Sequence, residues 1–410
     1  MKVPSGMAFW ESPQLSRTTS KGRPMVRVSS LFGQLLQLFP RHDFQRAVSR
    51  YGAEHGAKGF GCWDQFVSML FCQLAQAHSL REICGGLESC LGRVVHLGMK
   101  QAPRKSTLAY ANSHRPWQLY REVFHDLLAT CQQQAPDHRF RFRNKLYSLD
   151  ATVIDLSLSL FDWARFTQTK GAVKLHLLLD HDGYLPTFAH ITEGNVSDLA
   201  VARRLDLPAG SVVVIDRGYT DYRLFGDWTD RGVWFVTRLK RKAAYIVRAI
   251  NETTRERGVV SDLIIRLTSP DGLRDCPHDL RLVRYVDPES ETEYEFLTNN
   301  LTFGPTTIAR IYKERWQVEL FFKALKQNLR IKTFVGTSAN ALKIQIWTAL
   351  IAILLLKFLQ MKARLGWSLS NLIALLRWNL FTYRDLWKWI DDPFGVPPEL
   401  PGFVQLELTW

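Results

Sequence analysis

The sequence is poor in cysteine. Six cysteines in 410 residues are too few for a disulfide scaffold, and none form a C-x-x-C pair, so a zinc-finger reading lacks its ligands. The chain is also short of long apolar runs. The stretch that invites a membrane test, Ile344 to Leu356 between Lys343 and Lys357, falls short of the ~20 residues needed to cross a bilayer and reads as a buried core helix. Met1 to Ser30 lacks the apolar segment of a secretory signal. These absences lead to the expectation of a soluble, cytoplasmic protein with no membrane partner. Acids are scarce relative to bases: 39 Asp+Glu face 53 Lys+Arg, for a net charge of +14. The excess is uneven, with +11 on residues 1–145 and +3 on the remainder. A basic first third suggests nucleic-acid contact, although many basic proteins bind none. A hydrophobic fraction of 46% with 22% charged residues excludes wholesale disorder and a collagen-like fibre. The length allows two or three domains.

What is present is a change of pattern at Arg143. Before it the signals are helical: Phe66, Leu70, Leu74 and Ala77 share one helical spacing, and Leu119, Val123 and Leu127 another. Ser79-Leu-Arg-Glu82 is a capping box, opening a helix that Gly85-Gly86 ends or interrupts. A second helix beginning near Lys105 would carry Asn112, His114 and Arg115 outward, and the pair resembles a helix-turn-helix. After Arg143, Tyr147–Leu156, Ala172–Leu179 and Tyr184–Thr192 read as strands, the last two joined by an Asp182-Gly183 turn. Ser197–Leu207 suits a helix, Ser211–Ile215 a buried parallel strand, Thr220–Thr229 a helix and Val233–Thr237 a strand. Four more strands, Ala243–Ile250, Val259–Leu267, Leu280–Val286 and Thr292–Thr298, follow without helices between them. One long helix then runs from Thr306 to about Arg330, entered through Gly304-Pro305. The tail after Leu342 is helical, with Trp367, Trp378, Trp387 and Trp389 as apolar anchors. The fold class is α/β: a mixed-sheet domain over residues 141–335 with a β-rich insertion at about 240–300. It is flanked by a disordered basic tail (1–28), a helical DNA-binding domain (29–140) and a helical C-terminal region (336–410).

Three carboxylates stand out. Asp150 lies inside the first strand, Asp216 at the mouth of Val212-Val-Val-Ile215, and Glu319 in the long helix. An acid beside an apolar strand is costly unless something compensates, and a divalent cation is one compensator. Carboxylates from two strand ends and a facing helix can hold two Mg²⁺ about 4 Å apart. On the helix, at roughly 100° per residue, Tyr312, Arg315, Glu319 and Lys326 fall within one arc of about 60°, with Glu314 opposite. A phenol, a guanidinium, a carboxylate and an ammonium on one face could bind metal and phosphate together. An exposed stripe of i, i+4 ion pairs is the plainer reading of such a face.

The spacing Y-x2-R-x3-E-x6-K, as Tyr312, Arg315, Glu319 and Lys326, resembles the signature of bacterial insertion-sequence transposases of family four, which are DDE enzymes with an RNase H-like catalytic domain. SLDAT around Asp150 and VVVIDRGYTDY around Asp216 fit the same pattern, as does a β-rich insertion before Glu319. The resemblance implies a cut-and-paste transposase: phosphodiester hydrolysis at transposon ends, then strand transfer to target DNA. It implies Asp150, Asp216 and Glu319 as the Mg²⁺-binding catalytic triad, with two ions and Mn²⁺ as a substitute. It implies Arg315 and Lys326 on phosphates with Tyr312 beside them, and Tyr294 as the candidate aromatic against a flipped terminal base. The partners would be double-stranded DNA, as inverted-repeat ends and target, and a second copy in a homodimer. The alternatives are a catalytically retired DNA-binding regulator or another RNase H-like nuclease.

Other residues compete for these roles. Asp155, five positions after Asp150, faces the opposite side of a regular strand. Asp198 suits a helix start, with Ser197 as another candidate cap and a metal role as its second reading, and Asp221 a first-turn helix acid. Lys174 and His176 share one face of the second strand, where a structural role is the default. Lys240-Arg-Lys242 reads as a solvated turn, with DNA contact as the minority reading.

Overall fold

The computed structural model describes residues 29–90, 93–157, 159–161, 163–164, 171–252, 258–329, 331 and 334–395; the expected tail 1–28 lies outside them. Six helices come first: α1 (Leu31–Leu36), α2 (Arg41–Arg50), α3 (Cys62–Leu74), α4 (Leu80–Glu88), α5 (Lys105–His114) and α6 (Gln118–Gln132). Then follow β1 (Leu146–Leu156), β2 (Gly171–Asp180), β3 (Leu185–Glu193), α7 (Asp198–Ala202), β4 (Val212–Ile215), α8 (Tyr222–Asp230) and β5 (Trp234–Arg238). The insertion contributes β6 (Tyr245–Ile250), β7 (Val259–Leu267), α9 (Pro270–Asp275), β8 (Leu280–Val286) and β9 (Glu293–Thr298). The chain continues as α10 (Pro305–Glu314), α11 (Trp316–Asn328), α12 (Ala339–Lys362), α13 (Leu369–Asn379) and α14 (Leu386–Asp391).

The nine strands form one mixed sheet in the order β3-β2-β1-β4-β5-β9-β8-β7-β6. β1 is its pivot, antiparallel to β2 and parallel to β4. Because successive side chains alternate faces, Leu146, Ser148 and Asp150 point to one side of β1, and Tyr147 and Leu149 to the other. The first side carries α10 and α11 and, against β1–β3, the remaining N- and C-terminal helices; the second carries α8. The insertion is therefore no separate layer. β9 pairs antiparallel with β5 (Val236 opposite Thr298), covering an edge that would otherwise expose unpaired backbone groups, and α9 interrupts its run of strands.

Several local expectations are corrected by packing. The helix Thr306–Arg330 is two, joined at Arg315, where Val318 N–H bonds to the Arg315 carbonyl three residues back (3.2 Å). Such an i−3 bond tightens the turn without leaving helical space. The helix proposed from Ser197 to Leu207 shrinks to α7. Gly85 and Gly86 lie inside α4 rather than ending it, although Ser79 does accept from Glu82 N–H (3.2 Å). Residues 89–104, with a 3₁₀ turn at Arg93–Leu97, separate α4 from α5, so the tight turn of a helix-turn-helix is missing there. Asn112 points inward to Gln65 (2.8 Å), and Arg115 turns back onto the Phe60 and Gly61 carbonyls.

The N- and C-terminal helices share one core. α12 is apolar all round, as a helix surrounded by protein must be, and packs on α3 and α6. At 24 residues it is long and apolar enough to cross a membrane by length and composition, more than the short run suggested, but most of it is buried inside the protein. Trp367 and Trp389 are buried and stack at 5.9 Å. Trp378 and Trp387 are exposed, so only two of the four expected anchors reach the core.

Candidate active site

β1 and β4 run parallel with Leu149 opposite Ile215, so the next residues, Asp150 and Asp216, lie side by side where the strands diverge. Asp216 ends β4 and accepts a hydrogen bond from Gly218 N–H (2.7 Å), capping a 3₁₀ turn. Asp150 accepts from Ala151 N–H (2.8 Å). α11 packs against β1 and brings Arg315 between two acids: its guanidinium lies 2.6 Å from Glu319 Oε1 and 3.7 Å from Asp150 Oδ2. Burial pushes the Asp150 carboxyl up to about 6, helped by the Glu319 and Asp216 charges and opposed by the Ala151 hydrogen bond and Arg315.

The donor set suits a hard divalent ion, being three carboxylates and no sulfur. Among the described residues, no three His, Cys, Asp or Glu side chains are gathered closely enough to hold one ion as they stand; Glu319 is engaged by Arg315. Lys326 donates to the Val153 carbonyl of β1 (2.9 Å). Tyr312 is half-buried, its ring 5.0 Å from Phe296 and 5.7 Å from the Arg315 guanidinium. Beside them is a cavity of about 210 Å³ lined by Tyr285, Tyr294, Phe296, Tyr312, Arg315 and Trp316, among others. Tyr294 stacks on Phe296 at 5.6 Å, with the Arg238 guanidinium over its ring. Arg315 and Lys326 thus turn toward β1 and Tyr312 toward β9, while Glu314 on the other side faces His181 and Tyr184.

Two neighbours were passed over in the sequence. Trp316 is about half exposed at the cavity; its place next to Arg315 was the available signal. Tyr219 is buried, its hydroxyl makes no hydrogen bond among the described residues, and burial together with the Asp150, Asp198 and Asp216 charges raises its pKa. Asp155 is exposed and, by strand parity, faces away from Asp150. Asp221 is the N-cap of α8 rather than a first-turn acid, accepting from Leu224 N–H (2.8 Å).

Asp198 opens α7 and receives Lys174 (3.1 Å) on the reverse face of the sheet. His176 Nδ1 stands 3.6 Å from it, and Nε2 meets the Thr192 hydroxyl. Burial pushes the His176 imidazole down to about 4, aided by Lys174 and His190 and resisted by Asp198. The folded pKa lies below the ordinary 6.5, so the unfolded chain takes up a proton first as pH falls. Stability present above pH 6.5 should decline toward pH 4 by about 3 kcal/mol. Urea midpoints across that range should show the slope, and His176→Gln should flatten it; an unchanged slope would assign the loss elsewhere.

Residues 142–355, just over half the chain, match the transposase DDE domain family, and residues 27–100 match DUF4372, a domain of unknown function. The chain is 31% identical over 304 residues to y4zB of Sinorhizobium fredii, named as a transposase, covering 72% of this chain and 83% of that one. It is 27% identical to the transposase named for insertion sequence element IS5377 of Geobacillus stearothermophilus, covering 65% and 70% of the two. It is 25% identical to that for IS4SA of a Synechocystis strain, covering 66% and 76%. These matches show that the chain belongs to the DDE transposases of bacterial insertion sequences, enzymes that cut DNA and join it by strand transfer.

Proposed function

We propose that Asp150, Asp216 and Glu319 are the catalytic carboxylates of this transposase and that they hold Mg²⁺, two ions in the working complex, with Mn²⁺ able to substitute. The observation that carries the reading is the side-by-side placement of Asp150 and Asp216 on neighbouring strands, with Glu319 facing them across Arg315. Bound metal would supply Lewis-acid activation of the attacking oxygen and stabilisation of the leaving oxygen of the phosphodiester. The chain's own part is positioning. Arg315 offers a guanidinium to phosphate once Glu319 exchanges its ion pair for metal, and Lys326 and Tyr312 flank the same path. Tyr294, stacked on Phe296 beside the cavity, offers a ring to a displaced terminal base, and the exposed Trp316 could close over it. Water attack at each transposon end would leave a 3′-hydroxyl, and that hydroxyl would then attack target DNA.

The Tyr312, Arg315, Glu319 and Lys326 spacing supports placing the chain in family four among these enzymes. Residues 29–140 read the inverted repeats, two copies act together to join two ends, and the enzyme works in the bacterial cytoplasm on nucleoid DNA. Because the N-terminal helices share a core with α12, α13 and α14, point substitutions rather than deletion of residues 1–140 are the fair test of end reading. The catalytic reading is tested by metal. A duplex carrying the element's own end should be cut, leaving a 3′-hydroxyl, with Mg²⁺ present. EDTA should stop cleavage, and added Mn²⁺ should restore it. Equal cleavage in EDTA would remove metal from the reading.

A further inference from the structure

Between the N-terminal helices and β1 the chain reads His138-Arg139-Phe140-Arg141-Phe142-Arg143. Rings and guanidinium groups alternate: Phe140 and Phe142 are half-buried against the sheet, while Arg139, Arg141 and Arg143 are exposed. Phe140 stacks on Phe142 (5.0 Å, 24°), and Phe142 stacks on Phe303 just before α10 (4.7 Å, 17°). From α10 the Arg310 guanidinium lies over the Phe140 ring at 5.2 Å. Four arginines are thus held at one place by a stack of rings. Among the described residues none of these four makes an ion pair or a hydrogen bond, Arg139 having only the more distant charge of Glu314 near it, whereas Arg50, Arg203, Arg231 and Arg274 on other surfaces each pair with an acid. Gathering four like charges with so little compensation is unfavourable until a polyanion meets them.

The placement says which polyanion. Phe140 and Phe142 pack against the cluster that contains Leu146, which by strand parity shares its face with Asp150 and stands about 13 Å before it along β1. Arg310 stands about 8 Å before Arg315 along the helix. We infer that Arg139, Arg141, Arg143 and Arg310 form a phosphate-binding patch for the transposon-end duplex, holding it between the segment that reads the end and the acids that cut it. The end is favoured over target DNA because the patch is the direct continuation of that N-terminal segment. The inference rests on the proposed carboxylate site and adds a sequence-independent clamp to it.

The test is the triple variant R139Q/R141Q/R143Q in the full chain, titrated with an end duplex and a scrambled duplex over a range of salt. Each lost phosphate contact lowers the slope of log affinity against log salt by about 1. The expected result is a slope lower by about 3 and affinity weakened at least about tenfold at low salt, equally for both duplexes, with an unchanged melting temperature. R139K/R141K/R143K should restore the slope. A control triple, R203Q/R231Q/R274Q, removes the same charge from paired arginines and should leave it unchanged. An unchanged slope in the first variant, or an equal drop in the control, overturns the patch. Normal end binding with reduced strand transfer of pre-cut ends assigns the patch to target DNA and overturns the choice of occupant. If the wild-type protein cuts no end duplex while the slope falls as expected, the carboxylate reading fails and the patch stands.

Discussion

Asp216→Asn should abolish end cleavage, by about 10³-fold or more, and leave binding of the end duplex within about twofold of wild type. The substitution is close to isosteric, and its reason lies in what each oxygen does. Asp216 Oδ1 accepts from Gly218 N–H and so caps the turn that follows β4; an asparagine oxygen can keep that bond. What the variant loses is the negative charge beside Asp150, and with it one anionic oxygen donor for a divalent ion. The fold should hold while the chemistry fails. A cleavage assay with Mg²⁺, run beside fluorescence anisotropy of the same duplex, separates the two. A variant that cuts within tenfold of wild type would sink the assignment of Asp216. Loss of binding in parallel with cutting would mean that the residue matters for shape and not for metal.

Arg281→Ala should cost about 3–5 kcal/mol of stability. Arg281 on β8 and Asp262 on β7 form a bidentate pair, Nε to Oδ1 at 2.7 Å and Nη2 to Oδ2 at 2.5 Å, with both side chains almost wholly buried. Asn251 also donates to Asp262 (3.1 Å), and Arg281 reaches the Phe303 carbonyl. Removing the guanidinium leaves a buried carboxylate with little but an amide for company, and the desolvation cost is then uncompensated. Replacing both partners with apolar residues should cost much less, because the penalty comes from the stranded charge. Urea unfolding of the single and double variants measures the difference; a single-variant loss below about 1 kcal/mol would contradict it. Phe303 leads into α10, so the damage should also loosen the approach to Arg315 and the arginine patch.

Much of the candidate site was legible in local pattern. An acid at the end of Val212-Val-Val-Ile215 is conspicuous because nothing in an apolar strand accounts for it, and the spacing of Tyr312, Arg315, Glu319 and Lys326 survives the tightened turn at Arg315. The strands of the insertion were also legible, since alternation is a short-range property. Their membership of the main sheet was not: β5 and β9 are some 60 residues apart in the chain, and pairing at that distance leaves no periodicity behind. Asn112 misled for a related reason. A polar side chain reads as outward unless its partner is known, and its partner, Gln65, comes from another helix. Trp378 misled in the opposite sense, because an apolar type says nothing about which face the core occupies.

By itself, the sequence determined the residue types available for chemistry, their order and the elements that carry them, because propensity and periodicity act over a few residues. Tertiary structure decided which charges are compensated. It set Arg315 between Asp150 and Glu319, buried Arg281 on Asp262, and left Arg139, Arg141, Arg143 and Arg310 without an ion pair among the described residues. Ion pairing falls off with distance through space and is blind to distance along the chain, so only the folded arrangement separates a neutralised charge from one still free to meet DNA.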